Sequence, residues 1–181
     1  FAGNAENSLH VVNGDAVDST AVLDGFTISG GNANTTGGGT TGGGMTIASN
    51  GRPTVVGCVF QSNNGLVSGG AISVSASSPR FTACAFTANR APQGGGLFMS
   101  GAGTPVLVGC SFNQNTATIG GAALANNLGT GIVATNCTFT GNVLSHPTGN
   151  LSGGALALTG GQATLTGCTF TANAVVQTAA A

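Results

Sequence analysis

A segment of the form Cys-x-Phe-x-x-Asn occurs five times, at residues 58–63, 84–89, 110–115, 137–142 and 168–173. Successive cysteines stand 26, 26, 27 and 31 residues apart. A Gly-Gly pair followed by apolar residues precedes each segment at a similar distance, at positions 42–43, 69–70, 94–95, 120–121 and 153–154. A period in the twenties, with Gly, Thr and Asn punctuating short apolar runs, marks a unit that buries its apolar side only by stacking on its neighbours. The chain is therefore expected to be a solenoid.

The columns of the repeat are read by laying the copies on residues 105–115. Three positions before each Cys stand Val55, Phe81, Leu107, Ala134 and Leu165, all apolar and expected inward. The next position holds Val56, Thr82, Val108, Thr135 and Thr166, which suits an outward strand site. Just before Cys come Gly57, Ala83, Gly109, Asn136 and Gly167, small or tolerant of positive φ, as a bend between two strands requires. Cys and Phe are two apart and share one face of the following strand, while Val59, Ala85, Ser111, Thr138 and Thr169 between them face out. After each Gly-Gly another strand follows, with inward pairs Met45 and Ile47, Ile72 and Val74, Leu97 and Met99, Leu156 and Leu158. The copy at Ala122, Ala123 and Leu124 fits either register.

Three short strands and three turns per unit predict an all-β fold, a right-handed parallel β-helix of about six coils with about 26 residues per coil. With coils ~4.8 Å apart, the expected ladders are an aromatic column (Phe60, Phe86, Phe112, Phe139, Phe170), an amide column (Asn63, Asn89, Asn115, Asn142, Asn173) and a thiol column (Cys58, Cys84, Cys110, Cys137, Cys168). An earlier, degenerate coil follows from residues 23–28, where Phe26 takes the Cys place and Ile28 the Phe place. Residues 9–12 read as one more strand covering the N-terminal end. The Gly- and Thr-rich stretch 37–44 and the insertion between Asn142 and Gly153 read as loops. Residues 1–181 form a single domain: a degenerate coil and loop over 1–41, five regular coils over 42–175 and a tail over 176–181, read as part of a longer protein.

Charge is scarce. Arg52, Arg80 and Arg90 are the only basic Lys/Arg side chains, and Glu6, Asp15, Asp18 and Asp24 the only acids. Three scattered arginines cannot supply the clustered cations that neutralise phosphates, which excludes a nucleic-acid binder. No apolar run approaches the ~18 residues of a membrane helix, so no span is expected in this segment.

The repeats resemble those of the polymorphic outer-membrane proteins, bacterial surface passengers marked by Gly-Gly-Ala-Ile and Phe-x-x-Asn tetrapeptides. Residues 69–72 match the first literally, residues 153–156 nearly so, and Phe-x-x-Asn stands in all five copies. The resemblance covers roughly residues 20–175. It implies a surface-exposed or secreted β-helix involved in adhesion or envelope structure, extracellular or on the cell surface.

Candidate chemistry is sparse. Zinc and redox sites use close pairs such as C-x-x-C, whereas every cysteine spacing here exceeds 25 residues. The thiols are read as free, buried and space-filling. His10 and His146 are read as structural. Asp15, Asp18 and Asp24 lack the alternating ligand run of a calcium loop, and a carbohydrate-active enzyme would need grouped carboxylates that these four acids do not suggest. The expectation is a non-enzymatic chain with no catalytic residue, metal or cofactor. The alternatives are an ice- or crystal-surface-binding protein, from outward Thr columns, and a carbohydrate-active β-helix enzyme. Expected partners are further copies of the chain or another envelope or extracellular protein, reached through the coil ends, with glycans as a contact class. An uncharged end after Asn173 motivates the expectation of end-to-end association.

Overall fold

The computed structural model describes residues 8–34, 40–127, 129–146 and 153–177. Among these, strands are the only regular elements. All the pairings are parallel, each strand bonding to its counterpart in the next repeat rather than to its sequence neighbour. This is a parallel β-helix.

Three six-stranded sheets make its sides. Face A carries Val12–Asn13, Met45–Ile47, Ile72–Ser75, Leu97–Ser100, Leu124–Asn126 and Leu156–Leu158. Face B carries Val22–Asp24, Thr54–Val56, Arg80–Thr82, Val106–Val108, Ile132–Thr135 and Ala163–Thr166. Face C carries Thr27–Ser29, Val59–Gln61, Ala85–Thr87, Ser111–Asn113, Thr138–Thr140 and Thr169–Thr171. The first strand of each set belongs to rung one and the last to rung six. Residues 23–28 join the stack in the expected register, Ile28 opposite Phe60 and Thr27 opposite Val59.

A fourth, narrower side was not legible in the repeat. Asn32–Ala33 pairs with Asn64–Gly65, and Thr116–Ala117, Val143–His146 and Ala174–Gln177 pair in turn. Arg90 bridges the two groups, to Asn64 and to Thr116. This side D corrects three expectations. Val143–His146 is a strand, so the insertion begins after it; residues 147–152 lie outside the described residues. Val176 and Gln177, read as the start of a tail, complete the last strand of side D. Gly42, Gly43 and Gly44, read as the end of a loop, bond to rung three through Ser68, Gly69 and Ala71; residues 35–39 are outside the described set. At the N-terminal end, the expected strand over 9–12 begins instead at Val12 and forms the first rung of face A.

Why side D follows face C so closely is seen in the backbone. Each rung turns twice through a left-handed residue: once before Cys (Gly57, Ala83, Gly109, Asn136, Gly167) and again before Asn (Ser62, Ala88, Gln114, Gly141, Ala172), with φ between 52 and 62 in all ten. For the non-glycine members this conformation costs roughly 1 kcal/mol or more each. Those costs are offset by what the turns bring inward, the Cys and Phe side chains at one and the Asn amide at the other.

The Gly-Gly pair has two distinct jobs, seen at Gly94 and Gly95. Gly94 has φ of 59. A Cβ on Gly95 would sit 2.6 Å from the Ala122 carbonyl oxygen and closer still to that of Thr116, so rungs four and five touch backbone to backbone there.

The interior holds the expected inward columns, and Phe81 adds an edge-on contact to Phe86 at 6.1 Å. Leu124 lies opposite Leu97 and Leu156, which settles its register. Asn126 consequently takes the inward place of Met99. It is 2 % exposed and its Nδ2 donates to the Thr130 carbonyl, while Oδ1 has no partner among the described residues.

Candidate functional site

Four rings of the aromatic column are fully buried, and all five stack nearly parallel. Centroids from Phe60 to Phe170 are 5.3, 4.5, 4.9 and 4.6 Å apart, within 8° of coplanar. Phe170 is the exception to burial. It is 47 % exposed, stacked on Phe139 on one side with no described residue stacked on the other. Leu158, Leu165 and Val175, at inward positions of the same rung, are exposed as well.

The amide column is tighter than its spacing implied. The Asn89 Oδ1 accepts from both the backbone N–H and Nδ2 of Asn63, at 3.0 Å each. The same double bond links Asn89 to Asn115, Asn115 to Asn142, and Asn142 to Asn173. Each Nδ2 also donates backward, to the carbonyl of the Phe, or of Ile28, in the preceding rung. Every amide inside the stack is thus used in full.

The cysteines are free thiols, four of them buried and Cys168 half-buried. Their sulfurs lie near backbone carbonyls of their own and the preceding rung, as with Cys84 and Val55 at 3.4 Å. Hydrogen bonding with Cys137 and Cys84, together with burial, holds the Cys110 thiol far above its ordinary range, and burial raises Cys58. In native protein a maleimide is expected to label Cys168 alone, with the other four reacting only after denaturation; mass spectrometry of the labelled chain checks this. Phe26, in the Cys place of rung one, departs from the column: its ring is 58 % exposed, too large for a gap that a thiol fills.

The side chains of His10, Asp15 and Asp18 are tied into the scaffold. His10 and Asp15 line one pocket of about 260 Å³ at the N-terminal end of face A. There the His10 Nδ1 lies 2.9 Å from the Gly42 carbonyl oxygen, and Asp15 accepts the Ala48 N–H at 2.7 Å. Asp18 accepts from the Thr20 hydroxyl and N–H, which lowers its pKa. Among the described residues no three His, Cys, Asp or Glu side chains gather closely enough for a metal ion, and no helix is long and apolar enough to cross a membrane. Asn34 and Asn136, in the glycosylation patterns at 34–36 and 136–138, are exposed; the pattern at 150–152 is outside the described residues.

Outward positions are short and mostly neutral. On rungs five and six they form a block that single-column reading missed. Val133, Thr135, Thr138 and Thr140 lie directly opposite Thr164, Thr166, Thr169 and Thr171. On earlier rungs the columns are interrupted by Val56, Val59, Ala85, Ser111 and Val108.

The two ends of the stack differ. At the first rung Ile28 is only 2 % exposed, and Ser8 accepts the Asn32 N–H at 2.9 Å, so chain preceding the rung lies over its C–D corner. At the sixth rung, among the described residues, Phe170 and Leu165 are left partly exposed.

The model of a protein family described as a right-handed beta helix region matches residues 1–175. No curated protein and no solved structure matches the chain.

Proposed function

Because the chain belongs to the right-handed β-helix family, we propose that it is a non-enzymatic structural or adhesive module of a bacterial cell surface or extracellular assembly. The observation that carries this reading is the stack itself: in-register columns run through the rungs behind faces whose outward side chains are mostly short and neutral. Such a body is a rod whose surface contacts are spread along its length. A β-helical lyase or hydrolase would need a grouped acid, base or metal-binding set, whereas the carboxylates of Asp15 and Asp18 are each committed to local hydrogen bonds. The Gly-Gly-Ala-Ile and Phe-x-x-Asn tetrapeptides support a polymorphic outer-membrane type of repeat, and with it an extracellular or surface location. Contacts with glycans fall on the faces, and contacts with protein partners on the coil ends.

The test is incubation with acidic and neutral polysaccharides, followed by binding of the immobilised chain to the same panel. Retention without new reducing ends or unsaturated products is the expected result. Turnover on any of them overturns the reading in favour of a carbohydrate-active enzyme.

One observation favours a second reading, a protein that binds ice or another crystal surface. The Thr block on rungs five and six repeats hydroxyls and methyls at the ~4.8 Å rung spacing. Thermal hysteresis that disappears in a Thr138→Lys, Thr169→Lys double variant would establish it.

A further inference from the structure

Rung three is one residue short at the corner between side D and face A. The left-handed Gly94 follows Asn89 by five positions, whereas Gly69 follows Asn63 and Gly121 follows Asn115 by six. The shortfall falls on Ala91 and Pro92 and leaves a notch of about 270 Å³ between rungs two and four, with Leu66 on one side and Thr118 on the other. Its lining residues all belong to rungs two, three and four, so a rung added at either end of the stack would not reach them.

Two groups at the notch stand without partners, and they are of opposite kinds. Along side D a regular ladder has each inner carbonyl accept from the following rung, as Ala33 accepts the Leu66 N–H at 2.9 Å. The Gly65 carbonyl would accept in the same way from residue 92, but Pro92 has no N–H to give, and no other described residue donates to it. Beside it is Arg90, whose own carbonyl takes the Gly65 N–H at 2.9 Å. Arg90 is exposed, and its guanidinium has no carboxylate or other polar partner among the described residues. The described acids, Asp15, Asp18 and Asp24, all belong to rung one.

An unpaired cation, an unused carbonyl and apolar walls from Leu66, Ala91 and Pro92 describe a ligand with a carboxylate, an N–H and a short apolar body close together. The last residue of a polypeptide carries all three on one Cα. An acidic sugar has the carboxylate but surrounds it with hydroxyls, for which walls of Leu, Ala and Pro offer few partners.

We propose that this notch is a recognition site for the C-terminal residue of a partner polypeptide. Arg90 takes the terminal carboxylate in a two-pronged, charge-assisted contact. The Gly65 carbonyl accepts the N–H of the same residue, and an aliphatic side chain lies against Leu66 and Pro92. Such capture of a chain terminus takes place on the flank of the stack. It goes beyond the role proposed for the whole chain and does not depend on it.

The experiment titrates acetyl-Gly-Gly-Val and acetyl-Gly-Gly-Leu, each as free acid and as C-terminal amide, into the isotope-labelled full chain, with a trimer of galacturonic acid as the glycan arm. The free acids should shift the Gly65, Ala91 and Thr118 amide signals saturably and bind about tenfold or more tighter than the amides, the worth of one charge-assisted hydrogen bond. Arg90→Gln should bring the acids down to the level of the amides, Arg90→Lys should fall between, and Arg52→Gln should change nothing. Arg90 is exposed, so these variants keep the fold, which unchanged signals elsewhere in the spectrum verify. Pro92→Ala, which restores an N–H opposite the Gly65 carbonyl, should also weaken the acids. No saturable shift with either acid, equal affinity of acid and amide, binding unaffected by Arg90→Gln, or tighter binding of the sugar trimer overturns the proposal. The acid-against-amide comparison is made on the unaltered chain, so it stands whatever the variants do.

Discussion

Phe112→Ala is expected to destabilise the chain by about 3–5 kcal/mol. The ring is fully buried between Phe86 at 4.5 Å and Phe139 at 4.9 Å, both nearly parallel to it. Its removal leaves a slot whose walls are fixed by backbone pairing on face C, where Ser111–Asn113 bonds on both sides. Neither neighbouring ring can close the gap without breaking that pairing. Phe170→Ala should cost clearly less, since that ring stacks on one side only and is 47 % exposed. Denaturant melts of the two variants test this: equal losses would contradict a linear stack in which each rung depends on its neighbours.

Asn115→Ala is the second large effect, again about 3–5 kcal/mol. The side chain is fully buried and takes part in four hydrogen bonds, accepting two from Asn89 and donating to the Phe86 carbonyl and to Asn142 Oδ1. Alanine leaves the Asn89 N–H and one of its amide hydrogens buried without an acceptor, at roughly 1–3 kcal/mol per group. It also removes what offsets the left-handed Gln114 just before it. The loss should appear in melts together with faster exchange at the Asn89 N–H. For Asn173→Ala, half-exposed and last in the column, water can replace the lost partner and the change should be small. An Asn115→Ala protein as stable as the parent would mean that the column decorates the stack rather than holding it.

Much of this was legible because the repeat reports its own columns. Phe and Asn at a fixed offset in five copies mark inward positions, and a small residue before Cys marks the first bend. The second bend was invisible for a physical reason. Ser62, Ala88, Gln114, Gly141 and Ala172 have nothing in common as turn formers; the left-handed conformation is imposed on them by the amide that follows. Side D follows from that bend and was missed with it. The Gly-Gly pair was visible as punctuation, but its close approach to the next rung depends on atoms about 21 to 27 residues away, such as the Thr116 and Ala122 carbonyls against Gly95. Phe26 shows the opposite limit: alignment placed it in the right column, yet volume decides that a phenyl ring does not occupy a thiol's gap. For the outer surface, one Thr column read alone looked broken at Val59, Ala85 and Ser111, and only pairing across faces B and C shows the block on rungs five and six.

The one-way amide column also bears on how such a molecule is made. Its links join residues 26 to 31 positions apart, so each contact needs only the most recent turn of chain. As a new rung leaves the ribosome, its Oδ1 meets donors already waiting on the rung before it, and its own donors then wait for the next. Folding can therefore keep pace with translation, each finished turn acting as template for the one being spun out and at most one set of donors left open at the growing tip.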